Sequence, residues 1–159
     1  MNLYEKLENL IPGMKITYMN MPDKLKGLTY RDEIYLNTNL INYYHTTPIL
    51  AEEVAHYLTS NGDITDYKDI NNMKQEVVAR RYAHHLVVPL HKLIECYELG
   101  LWGDIYEMCM HLEIDRSYFN KVIEEYKRIY GLEVVYNGYL IQFEPLSITK
   151  SDIYQNRNT

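Results

Sequence analysis

Apolar and polar positions along the chain change period several times, and each change marks an element. Leu3, Leu7 and Leu10 recur at helical spacing before Pro12-Gly13 ends the segment, which predicts a short amphipathic helix over 2–10. Residues 15–20 alternate and predict a strand. After the loop at Pro22, residues 27–30 and 33–37 flank the polar pair Arg31-Asp32 and predict a β-hairpin, so two or three short antiparallel strands are expected here. Thr47 is a suitable N-cap and Pro48 suits the first position of a helix, which Asn61-Gly62 would stop. On that helix Leu50, Val54 and Tyr57 share one side, and Glu52, Glu53 and His56 gather on the other.

A second helix is predicted from about Asn71 or Asn72, with its body over 73–88 and its end set by Pro89. Val78, Ala79, Tyr82, Ala83, Leu86 and Val87 form its broad apolar face. From Lys92 the helical pattern continues. Leu101, Ile105, Met108, Cys109 and Leu112 mark one helix, and Asp115 caps another that carries Phe119, Val122, Tyr126 and Ile129 as far as Gly131. Residues 133–143 contain Asn137-Gly138, a strong signal for a type I′ hairpin, and the polar tail after Pro145 is expected to fray. The class is therefore α+β: a small antiparallel sheet packed on a helix pair, then further helices and a β-hairpin. Residues 1–95 are expected to form the core, with 96–159 as a helical extension and hairpin packed on it.

The chemistry concentrates in ILAEEVAHYLTSN, residues 49–61, where Glu52, Glu53 and His56 read E-E-x-x-H. This is one residue away from H-E-x-x-H, in which two ligands one helical turn apart face one zinc ion and the intervening Glu activates water. A solvated acidic face of an amphipathic helix has the same pattern, and on this helix alone it is the better reading. Glu76 changes the balance, because it falls at the edge of the next helix's apolar face, in line with Ala83 and Val87. A carboxylate there needs solvent or a partner, since an unpaired buried charge is very costly. A metal ion is one such partner, and Arg80, one turn along, is another.

The pattern LAEEVAHYLTSNGDIT followed by KQEVVARRYAHHLVVP resembles the ImmA/IrrE family of metallo-endopeptidases, especially the short members carried by phages and integrative elements. The second helix resembles the family form E-x-x-x-A-x-x-[FY]-A-x-x-L-x-x-P, met here by Glu76, Ala79, Tyr82, Ala83, Leu86 and Pro89 apart from one residue of spacing, since this chain reads E-x-x-A between Glu76 and Ala79. KGLTYRDEIYLNTNL resembles the family's hairpin before the active-site helix, so the similarity spans at least residues 26–89. It implies His56 and Glu76 as metal ligands and Glu53 as general base. It also implies a protein substrate, a helix-turn-helix repressor whose cleavage induces a mobile element.

Position 52 departs from the family pattern. Glu52, at i and i+4 with His56, can still reach the same ion, but two carboxylates and one imidazole make a harder, more anionic set than two imidazoles and one carboxylate. Such a set holds Zn2+ less selectively, admits Mn2+ or Fe2+, and weakens the Lewis acid, so slower hydrolysis is expected. His45, ahead of the helix, is a further candidate ligand. His84, His85 and His91 read as surface residues. The alternative function is a catalytically weak or inactive relative that regulates by binding protein.

Composition trims the remaining classes. The 159 residues, 47% hydrophobic and 24% charged, suit one ordinary folded domain or a domain with a small appendage. No apolar run approaches the ~18 residues that cross a bilayer, and MNLYEKLENL lacks a basic region followed by an apolar block, so a cytoplasmic protein is expected. Cys96 and Cys109 form no CxxC pair and read as reduced thiols. The net charge of -6 disfavours general nucleic-acid binding. The paired helices within 101–131 have the look of a helix-turn-helix, but their acidic balance makes packing or a protein contact the stronger reading.

Overall fold

The computed structural model describes residues 1–40, 42–59 and 70–150, and the chain divides into two units, Met1–Val87 and Val88–Thr159. The division precedes the expected boundary after residue 95. Pro89 cannot continue the preceding helix and instead serves as N-cap of the next one, whose Leu93 and Cys96 are buried.

The first unit begins with α1 (Leu3–Asn9), held by a capping box in which the Asn2 side chain accepts from the Glu5 N–H and the Glu5 carboxylate accepts from the Asn2 N–H. Three strands come next: β1 (Lys15–Met19), β2 (Gly27–Tyr30) and β3 (Glu33–Asn37). The β2–β3 hairpin is antiparallel and turns through Arg31 at φ 54°. The sheet is not wholly antiparallel, however, because β3 inserts between the other two strands and runs parallel to β1. The cause lies in residues 20–26, which carry the chain past the middle position to the far edge, so the return strand fills the gap. Asn37 pins that loop. Its buried amide donates to the carbonyls of Met21, Pro22 and Leu25, and its side-chain oxygen accepts from the Met21 and Asn39 N–H groups.

α2 (Tyr43–Thr59) starts ahead of the expected Thr47 cap and runs through Pro48. Asn42 does the capping, since its side chain accepts from the His45 N–H while Thr46 donates back to the Asn42 carbonyl. Leu50, Ala51, Val54 and Ala55 are fully buried, with Ile34 and Leu36 of β3 buried on the sheet side. Tyr57, placed with Leu50 and Val54 by periodicity, is instead exposed. α3 (Ile70–Val87) packs along α2 and buries Ala79, Ala83, His84 and Val87. The broad face expected from periodicity is narrower: Val78 is 54% exposed and Tyr82 40%, outside the Ala79–Ala83–Val87 stripe that is buried. The expected stop at Asn61-Gly62 lies outside the described residues.

The second unit contains α4 (Leu90–Glu98), α5 (Ile105–Leu112) and α6 (Arg116–Tyr130), then a meander of β4 (Glu133–Tyr136), β5 (Tyr139–Phe143) and β6 (Leu146–Lys150). α5 starts at its Asp104 cap, leaving Leu101 in the preceding turn, and Asp115 caps α6 by accepting from the Tyr118 N–H. Asn137 and Gly138 both take positive φ, as a type I′ turn requires. Residues 146–150 do not fray: Ile148 is buried and the segment pairs antiparallel with β5 as a third strand. Tyr126 fills the middle of this unit and donates its hydroxyl to the Val88 carbonyl at 2.5 Å. Among the described residues, no helix is long and apolar enough to cross a membrane.

Candidate metal centre

α2 and α3 bring together two side chains that are distant in sequence. His56 Nε2 lies 3.6 Å from Glu76 Oε2, with the two side chains only 23% and 15% exposed. An ionised His–Glu hydrogen bond would be close to 2.8 Å. The edge of a tetrahedron with metal–donor bonds of about 2.0–2.2 Å is about 3.3–3.6 Å, which matches the separation found. The other ring nitrogen, His56 Nδ1, is buried and has no hydrogen-bond partner among the described residues. Burial, aided by the Arg80 charge and opposed by Glu76, lowers the His56 pKa and favours the neutral ring with a lone pair to offer. Arg80, the rival partner of Glu76, forms no ion pair with it among the described residues. This pair of donors therefore fits a divalent cation.

Glu53 points away from solvent toward β2. Thr29 donates its hydroxyl to Glu53 Oε2 at 2.5 Å, and its oxygen also lies 3.3 Å from the Glu53 carbonyl. Gly27, two residues earlier on the same face of the strand, leaves room for the side chain: a Cβ built there would sit 3.0 Å from Glu53 Cγ and 3.1 Å from Oε1. Burial pushes the Glu53 pKa up to about 7, against the lowering effect of the Thr29 hydrogen bond, and the nearby charges of Glu52 and Glu76 raise it further. The carboxyl is thus poised to exchange a proton near neutral pH.

Glu52 is half-buried and close enough to act on Glu53 as a like charge. The polar side of α2 is therefore not a freely solvated acidic face. Among the described residues, no group of three His, Cys, Asp or Glu side chains stands already gathered as a set able to hold a metal; His56 and Glu76 are the two donors brought within 3.6 Å. His45 is not at the site: it occupies the first turn of α2, its Nδ1 is 2.9 Å from Asn42 Oδ1, and it stands roughly 16 Å along the helix from His56. His84 is buried, contrary to its expected surface position, because it lies next to the Ala79–Ala83–Val87 stripe. His85 is half-buried, with its Nδ1 2.8 Å from the Arg81 carbonyl, and His91 is exposed.

Sequence reasoning missed Gly27 and Thr29. Small residues at alternate positions of a strand next to the motif helix are the available signal, since a Gly inside a strand often marks a close approach. Comparison with protein-family models, with curated proteins and with solved structures finds no match to this chain.

Proposed function

We propose that the chain is a metal-dependent endopeptidase of the cytoplasm, similar to the ImmA/IrrE enzymes, acting on a helix-turn-helix repressor of a phage or mobile element. The observation that carries this reading is the approach of His56 on α2 to Glu76 on α3 at tetrahedral-edge distance, with the desolvated Glu53 within electrostatic reach of Glu76. His56 and Glu76 would hold the cation, and Glu52, one turn from His56 on α2, would supply the third protein ligand; such a two-carboxylate set would suit Zn2+, Mn2+ or Fe2+. A bound divalent cation supplies Lewis acidity to the scissile carbonyl and to water. Glu53 takes a proton from the attacking water and returns it to the leaving amine, a task for which a carboxyl with a pKa near 7 is well matched. Direct DNA binding plays no part in this reading.

The test combines zinc and manganese content of the purified protein with cleavage of the helix-turn-helix repressor encoded in the same genetic neighbourhood. His56→Ala and Glu76→Ala are expected to lose both metal and cleavage. Glu53→Gln is expected to keep metal and lose cleavage; equal cleavage by Glu53→Gln and wild type would sink the mechanism. The presence of Glu at position 52 favours a second reading, a relative that binds the repressor without cutting it. Tight repressor binding by a protein that takes up neither metal supports that one.

A further inference from the structure

Glu53 is held by a strand rather than by its own helix. Its side chain leaves α2 and enters the space above β2, where the two inward-facing residues of that strand meet it from different sides. Gly27 lies so close that an added Cβ would be 3.0 Å from Glu53 Cγ and 3.0 Å from Ile49 Cγ2, so the absence of a side chain at that end of the strand is what gives Glu53 its place. Thr29 closes the other end with a 2.5 Å hydrogen bond to Oε2. A threonine hydroxyl has one proton, and the shorter contact takes it in preference to the 3.3 Å approach to the Glu53 carbonyl. Thr29 is β-branched, so its χ1 is stiff and the hydroxyl is presented in a fixed direction.

We infer that Thr29 is a positioning residue: it fixes the carboxyl of Glu53 in the orientation its proton-transfer role requires, with Gly27 supplying the space. The inference rests on the peptidase reading, and it adds β2 to the working parts of the site. The hydrogen bond occupies Oε2 and leaves Oε1 as the oxygen available to exchange a proton. A carboxyl released from Thr29 would sample other rotamers, and misplacement of a reacting group by about 1 Å costs on the order of 100-fold in rate.

The experiment uses the full chain, the neighbouring helix-turn-helix repressor, and Thr29→Val, Thr29→Ser and Glu53→Gln in parallel. Thr29→Val keeps the side-chain shape and removes the donor. Its kcat is expected to fall between about 10-fold and 100-fold with KM within about twofold. Thr29→Ser, which keeps the hydroxyl, is expected to restore most of kcat, and zinc content should be the same in all three variants. Undiminished kcat in Thr29→Val beside an inactive Glu53→Gln overturns the role of Thr29 and leaves the peptidase reading standing. A Glu53→Gln protein as active as wild type, or a wild type that does not cleave, overturns the peptidase reading itself. Loss of zinc from Thr29→Val also overturns the inference, because Thr29 would then act through the ligands. A further readout needs no substrate: in urea titrations Thr29→Val should lower the unfolding midpoint in the wild-type background and have less effect in Glu53→Ala. Equal effects in the two backgrounds show that the groups do not interact and overturn the inference.

Discussion

Gly27→Ala tests how tightly β2 lies over the motif helix. The added methyl would meet Glu53 Cγ and Ile49 Cγ2 at 3.0 Å and Glu53 Oε1 at 3.1 Å. Comfortable carbon–carbon contacts are about 3.5–4.0 Å, so each neighbour must retreat by roughly half an ångström or more. Glu53 cannot easily do so while Thr29 holds its far end, and Ile49 belongs to the packed helix. Overpacking of this kind costs about 1–3 kcal/mol. Replacing Gly by Ala in a strand returns about 0.5–1 kcal/mol of backbone entropy. The net expectation is a loss of about 0.5–2 kcal/mol, or a fall in Tm of a few degrees for a chain of this length. Gly13 supplies the control, because nothing lies within 4 Å of a Cβ built there. Thermal melts followed by circular dichroism should show Gly13→Ala neutral or slightly stabilised and Gly27→Ala destabilised. In a Glu53→Ala background two of the three crowded atoms are gone, and the penalty of Gly27→Ala should shrink. A Gly27→Ala protein as stable as Gly13→Ala would refute the close approach of strand and helix.

Three further outcomes are expected. Glu53 has a folded pKa of about 7 against an ordinary value of 4.5, so its contribution to stability is fully present below about pH 4.5 and is lost as pH rises through 7. In metal-free protein, urea titrations across that window should show a decline of up to about 3 kcal/mol that Glu53→Gln removes; a flat profile in the wild type would contradict the desolvation. Asn37→Ala strips partners from the buried Met21 backbone groups and breaks the part-buried bond to the Leu25 carbonyl in the 20–26 loop; it should cost about 1–3 kcal/mol in chemical denaturation, whereas a loss under about 0.5 kcal/mol would show that the loop holds itself. Glu52→His removes one of the charges that raise the Glu53 pKa and offers an imidazole on the same helical turn as His56. Zinc should bind more tightly, by about tenfold or more in a competition titration with a chromophoric chelator, and unchanged affinity would place position 52 outside the metal's reach.

Local features were readable where a single side chain dictates its own backbone. Asn137-Gly138, Asp115 and Gly131 work through positive φ or a cap, and each stands where the sequence placed it. The two-residue turn at Arg31-Asp32 and the three strands of the first sheet were legible for the same reason. Helical periodicity placed Glu76 at the edge of an apolar face and left solvent, Arg80 or a metal as its partner; the pairing of Glu76 with His56 was an expectation from the family resemblance. The features that escaped depend on neighbours remote in sequence. Pro48 is an ordinary start signal, but Asn42 offers an earlier cap and the helix starts there, so the proline lies inside it. The order of β1, β3 and β2 comes from the path of residues 20–26, which Asn37 fixes from another strand. Thr29 looks like any strand threonine until Glu53 is placed opposite it.

The division of the chain at Val87/Val88 has a genetic corollary. Gly27, Thr29, Glu52, Glu53, His56 and Glu76 all precede it, and Pro89 opens the next helix immediately after. A recombination event at that junction would transmit the whole constellation in one segment while exchanging everything downstream. All six candidate positions would thus travel together through any exchange at that junction.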